Sequence, residues 1–134
     1  MPAAYLDSCI VIYAVEKHPT HESRIRHELR TRRDWNVATS PLVRLETLVR
    51  PRREQNSLLV GLYESFFTGC LMLPITSAVF EHALDLRVRH QLRVPDALHL
   101  ATALQHGCNE FWTNDLRLAV AVRRSGITLF DITA

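Results

Sequence analysis

Lysine is almost missing from this sequence: of 16 basic side chains in 134 residues only Lys17 is a lysine, and the others are arginine. Receiver-type and related phosphoryl-transfer sites set an aspartate after the first strand beside a second acid and a lysine. Here the residues after Asp7 are Ser8 and Cys9, and Lys17 follows the first helix, which argues against that chemistry. The second aspartate of a dehalogenase-like nucleophile motif is absent too. Glycine is scarce, with four in the chain, and none follows the first strand, which excludes a dinucleotide-binding turn. The three cysteines, Cys9, Cys70 and Cys108, show no metal-ligand spacing such as C-x-x-C. They read as buried thiols in a reducing cytoplasm. No apolar run approaches the ~20 residues that span a bilayer, and no basic-then-apolar leader opens the chain. The expected setting is cytoplasmic, with no membrane partner.

What is present suits a core. Hydrophobic residues make up 47% of the chain, enough for a single domain over residues 1–134. The net charge of +2 rules out strong binding of polyanions by the surface as a whole. The arginines are clustered, however, at residues 24–33, 50–53 and 123–124. Arginine binds phosphate through two parallel hydrogen bonds and stacks on bases. Either these are solvated helical faces, or Arg24, Arg26 and Arg50 among them meet nucleic acid.

Hydrophobic periodicity and breakers predict strands at 3–6, 36–39, 71–75, 110–113 and 127–132, with helices at 9–16, 21–32, 41–49, 55–67, 77–90, 95–106 and 115–124. Pro51 is expected to end the third helix. Val79, Phe80, Ala83, Leu84 and Leu86 are expected to point inward from the fifth. Gly69, Gly107 and Gly126 fall between a helix and a strand, where a left-handed residue is wanted. Strands alternating with helices predict an α/β fold with a parallel sheet covered on both faces.

In such a sheet ligands bind at the carboxyl ends of the strands, near the point where strand order reverses. Asp7 ends the first strand and Asp115 follows the fourth. Glu46 and Asp96 lie near the starts of helices that approach the same rim. Taken singly, Asp7, Asp96 and Asp115 also suit helix capping or the helix dipole. Glu46 stands amid apolar helix residues, where a buried acid without a partner is costly. Four crowded carboxylates call for a cation, and hard oxygen ligands suit Mg²⁺ or Mn²⁺. The chemistry this points to is metal-assisted hydrolysis of a phosphodiester.

Tyr5-Leu6-Asp7-Ser8, Leu45-Glu46-Thr47-Leu48, Pro95-Asp96-Ala97-Leu98-His99-Leu100-Ala101-Thr102-Ala103 and Thr113-Asn114-Asp115 resemble, in order and spacing, the four acidic motifs of PIN-domain ribonucleases. The Asp-Ala-Leu-His-Leu-Ala run and the chain length are most similar to the VapC-type toxins of bacterial toxin–antitoxin pairs. That resemblance implies a three-layer α/β/α domain with a central, mainly parallel sheet of about five strands. It implies a metal-dependent endoribonuclease with Asp7, Glu46, Asp96 and Asp115 around one or two Mg²⁺ or Mn²⁺ ions. Ser8 and Thr113 would orient carboxylates or water, with Asn114 a variable neighbour. A homodimer or higher toxin–antitoxin assembly is implied, with a cognate antitoxin that covers the site, often with an arginine of its own. The alternative is a PIN-like domain that binds RNA or protein without cleaving.

The seven histidines show no zinc-like spacing. His99, one turn after Asp96, reads as a core or supporting histidine rather than a ligand. Asp131, which ends the last strand, reads as solvent-exposed. Trp35 and Trp112 border strands and read as core or interface residues.

Overall fold

The computed structural model describes residues 1–133. Its elements run β1 (Ala3–Leu6), α1 (Ser8–Val15), α2 (Glu22–Thr31), β2 (Asn36–Thr39), α3 (Pro41–Arg53) and α4 (Ser57–Thr68). They continue with β3 (Leu71–Met72), α5 (Ser77–Arg89), α6 (Val94–Gln105), β4 (Glu110–Thr113), α7 (Leu116–Arg124) and β5 (Thr128–Asp131). The five strands form one sheet in the order β3-β2-β1-β4-β5, and every pairing is parallel. The predicted α/β class and five-stranded sheet are therefore borne out.

Parallel neighbours need crossover connections, which as a rule are right-handed. From β1 the chain steps outward to β2 and β3, then returns past β1 to β4 and β5. The two sets of helices are thereby sent to opposite faces of the sheet. A strand covered on both faces should be apolar throughout, and all four residues of β1 are buried. Tyr5, Leu6, Phe111 and Trp112 of the two central strands are fully enclosed. The order reverses between β1 and β4, so a crevice opens beyond their carboxyl ends.

Local chemistry sets the boundaries. The Ser40 side chain caps α3, with Pro41 in its first turn. This helix runs on through Pro51 to Arg53, contrary to the expected stop: the proline ring is buried, and only one late turn loses its hydrogen bond. β3 is shorter than predicted because Pro74 carries no N–H; the last link to β2 is Leu73 N–H to the Thr39 carbonyl, at 2.8 Å. Gly107 and Gly126 take positive φ, at 70° and 82°, as a left-handed ending requires. Gly69, at φ −84°, does not; its helix closes in a right-handed turn. On α5, Phe80 and Leu84 are each 56% exposed, against the expectation that they face inward. With Val88 they form an outward stripe at i, i+4 and i+8, while Val79, Ala83 and Leu86 fill the core. Among the described residues no helix is long and apolar enough to cross a membrane.

Candidate active site

A pocket of about 310 Å³ opens at the crevice beyond β1 and β4. Asp7, Glu46, Asp96 and Asp115 all line it, with Ser8, Cys9, Tyr13, Arg93, His99 and Asn114. Each acid arrives for a local reason. Asp7 is the residue at which β1 turns into α1, and its carboxylate caps that helix by accepting the Ser8 N–H at 2.7 Å. Asp115 does the same for α7, accepting from the amides of Arg117 and Leu118 at 2.9 and 3.2 Å. Asp96 sits in the first turn of α6, behind Pro95. Glu46 is in the second turn of α3. Capping a helix and lining the pocket are thus not rivals at Asp7 and Asp115: one carboxylate does both.

Asp7 is the most enclosed of the four, 8% exposed overall. Burial pushes its pKa up, while the neighbouring His99 and hydrogen bonds from Thr113 and Ser8 oppose that rise. Thr113 Oγ1 donates to Asp7 Oδ2 at 2.8 Å and accepts the Asp115 amide at 3.1 Å, so one hydroxyl links two of the acids. Asn114 turns instead to Tyr13, donating to its hydroxyl at 3.0 Å. Burial and the neighbouring Asp7 push the pKa of the Cys9 thiol up to about 12, so it is protonated at neutral pH.

Glu46 behaves oppositely to Asp7. Burial works to raise its pKa, but hydrogen bonds from His99 and Ser8 outweigh it and the net shift is downward. Both bonds, Ser8 Oγ and His99 Nε2, are 2.6 Å long and fall on Oε1. Among the described residues Oε2 accepts none. The cost of burying an acid amid apolar residues does not apply here: the Glu46 side chain is 32% exposed, and its neighbour Leu45 faces outward at 62% exposure.

Behind Glu46 lies a buried polar chain. His99, 1% exposed, takes the supporting place expected of it. Its Nδ1 is 2.7 Å from the Tyr5 hydroxyl, which is 2.8 Å from Ser40 Oγ. A carboxylate cannot donate, so Nε2 carries the hydrogen that faces Glu46; in the neutral ring Nδ1 then accepts from Tyr5. Burial raises the Tyr5 pKa, which keeps that proton on the phenol. The chain locks the imidazole plane and with it one oxygen of Glu46.

Arg93 was not singled out by any sequence signal, yet it is the basic residue lining the pocket. Its Nε lies 3.2 Å from Asp96 Oδ2 and its Nη2 lies 3.7 Å from Asp115 Oδ2. The arginines read as phosphate contacts lie elsewhere. Arg24 donates to the Ile132 carbonyl at 2.6 Å and Arg26 pairs with Glu22 at 2.8 Å. Arg50 pairs with Glu16 at 2.9 Å, one turn beyond Glu46 on α3. Asp131 bonds to Thr133 and does not line the pocket.

The donor set, four hard carboxylates, fits Mg²⁺ or Mn²⁺ in kind. Among the described residues, however, no three His, Cys, Asp or Glu side chains already stand in metal-binding geometry. Asp96 and Asp115 are drawn toward Arg93, and Glu46 toward Ser8 and His99.

Comparison with known proteins places the fold and the family. Among curated protein sequences none matches the chain. Among solved structures, VapBC2 from Rickettsia felis bound to a promoter DNA fragment is similar at 16% identity, covering 96% of this chain and 98% of that one with a TM-score of 0.79. FitAcB from Neisseria gonorrhoeae is similar at 18% identity, covering 97% and 98%, with a TM-score of 0.75. VapC20 from Mycobacterium tuberculosis, a sarcin-ricin loop cleaving toxin, is similar at 17% identity, covering 88% and 94%, with a TM-score of 0.72. These likenesses establish the fold. The family model of the PIN domain matches residues 4–123, nearly the whole chain, and the chain belongs to that family.

Proposed function

We propose that this protein is a metal-dependent endoribonuclease, the toxin of a toxin–antitoxin pair, with Asp7, Glu46, Asp96 and Asp115 as its catalytic acids. The observation that carries the reading is the meeting of these four carboxylates, from segments up to 108 residues apart, in one pocket at the strand-order reversal. The ribonuclease and toxin classes are supported by PIN-family membership and by the named activity of the similar VapC20.

Mg²⁺ or Mn²⁺, held by these carboxylates, would supply an activated water and neutralise charge on the scissile phosphate. The chain's own contribution is placement. Thr113 and the Ser8 amide fix both oxygens of Asp7. Ser8 and His99 fix Oε1 of Glu46 and leave Oε2 to face the chemistry. With its lowered pKa, Glu46 is ionised at neutral pH. Arg50, one turn from Glu46 and 64% exposed, is the best placed of the three expected phosphate contacts; Arg24 and Arg26 would bind a more distant part of the strand.

The partners follow the same reading. Several similar structures are toxin–antitoxin complexes. An antitoxin for this chain would meet an apolar hollow lined by Ala14, Ile25, Leu29 and Phe66 and rimmed by Arg26, Arg30 and Arg33. The exposed stripe Phe80, Leu84 and Val88 supports self-association as a homodimer.

The test is incubation of purified protein with total cellular RNA in Mg²⁺ or Mn²⁺, beside EDTA and Asp96→Asn controls. Discrete fragments that vanish in both controls are expected. Absence of both cleavage and saturable Mn²⁺ binding would instead favour the domain that binds without cleaving.

A further inference from the structure

We propose that Arg93 is a cation built into the acidic pocket, which a divalent metal displaces from the carboxylates and which then binds an RNA backbone phosphate at the pocket mouth. This rests on the metal-dependent nuclease reading and adds a residue that couples the two ligands.

The four acids are not held alike. Asp7 and Glu46 are tied by Thr113, Ser8 and His99, which lie within the folded body of the protein. Asp96 and Asp115 share Arg93, which reaches them from solvent with 72% of its side chain exposed. Its contacts, 3.2 Å and 3.7 Å, are single and loose rather than a two-bonded fork. Among the described residues the side chain makes no other hydrogen bond or ion pair. Arg93 stands at the N-cap of α6 without a capping hydrogen bond, at φ −70° and ψ 159°, a conformation open to any residue.

One guanidinium against four carboxylates leaves the pocket strongly negative. A divalent ion entering it competes with Arg93 for Asp96 and Asp115 and repels it at short range. The exposed tether lets the guanidinium swing outward without unfolding anything. At the mouth it faces the approaching strand with both of its hydrogen-bonding edges free for phosphate. Arg93 therefore weakens metal binding in the free protein and strengthens RNA binding once the metal is in.

The two halves make opposite predictions for one substitution. Arg93→Gln is expected to tighten Mn²⁺ binding roughly tenfold, read by titration of free Mn²⁺ without RNA. In saturating Mn²⁺ the same variant should bind a single-stranded, fully phosphorothioate RNA more weakly. Its salt slope should fall by about 0.7, the value for one lost phosphate contact on a single strand. Arg93→Lys, which keeps the charge, should stay near wild type in Mn²⁺ affinity. Unchanged or weaker Mn²⁺ binding by Arg93→Gln would overturn the proposal, as would an unchanged RNA salt slope. If the wild type binds Mn²⁺, Asp96→Asn does not, and Arg93→Gln matches the wild type, only the role of Arg93 fails. No saturable binding by the wild type sinks the metal reading as well.

Discussion

The two ends of β4 handle charge in opposite ways. At its start Glu110 receives two hydrogen bonds from Arg32, Nε to Oε1 at 2.7 Å and Nη2 to Oε2 at 3.2 Å, and a third from the Trp112 indole at 3.0 Å. The same guanidinium pairs with Glu28 at 2.8 Å and packs over the rings of Trp35, Trp112 and Phe130. Its hydrogen bonds to Glu110 and Glu28 outweigh burial and hold it firmly charged. At the other end, three residues on, Thr113 leads into a pocket where four carboxylates face one exposed arginine. Charges that are matched and sealed hold a fold together. Charges left in excess cost stability and are kept only where something else must bind.

Substitutions at the two ends should therefore separate folding from function. The largest effect is expected at the unbalanced end. Asp7→Asn and Asp96→Asn should each lower RNA cleavage by roughly a thousandfold or more, the several kcal/mol that metal-assisted chemistry supplies. Their circular dichroism should stay near wild type and neither should melt below it; a variant that still cleaves well would remove that acid from the site. Next, His99→Asn should weaken Mn²⁺ binding by about 10–100-fold, the usual range for a group that orients a ligand. Tyr5→Phe, which removes the Nδ1 donor but keeps the ring, should show a smaller loss in the same titration.

At the matched end, Glu110→Gln should cost about 2 kcal/mol of stability, since hydrogen bonds to charged groups contribute roughly that much. Denaturant unfolding would read this, and Mn²⁺ affinity should not move. A change in Mn²⁺ affinity would mean that the two ends are coupled through the strand.

The smallest effects concern pH and have opposite signs at Asp7 and Glu46. Asp7 has its folded pKa raised, so the folded state holds its proton longer than the unfolded chain. Stability drawn from it is lost as pH rises above the ordinary value of 3.8. Glu46 has its folded pKa lowered, so its contribution is present above 4.5 and lost as pH falls through the folded value. In EDTA, then, Asp7→Asn should gain melting temperature over wild type as pH rises from about 4 to neutrality. Glu46→Gln should lose stability at neutral pH and converge with wild type in acid. Parallel pH profiles for the two variants would contradict the opposed environments.

The elements themselves were legible in the sequence because their signals are local. Ser40 before Pro41, the buried run of β1, and Gly107 and Gly126 after their helices each act within a few residues. Pro51 was misread because burial of its ring, a tertiary effect, outweighs one missing bond near a helix end. Phe80 and Leu84 were misread because an apolar residue carries no label for which surface it meets. At the pocket, Asp7, Asp96 and Asp115 could be picked out by their places after strands or in a first helical turn, and Glu46 by its apolar helical neighbours. Arg93 could not: among 15 arginines nothing local distinguishes the one whose guanidinium crosses to Asp115, 22 positions away. Nor could the bond from Tyr5 to His99, which joins residues 94 positions apart.

The first strand lies in the middle of the sheet, and its two neighbours are made at very different times. β2 is available once residue 39 exists, but β4 ends only at residue 113. On a ribosome adding roughly 5–20 residues per second, Asp7 waits several seconds or longer for Asp96 and Asp115 to be synthesised. Until residue 115 is added the growing chain lacks at least one of the four acids and has no closed pocket. The site of the proposed nuclease is thus completed only when the segment that carries Asp115 has been read.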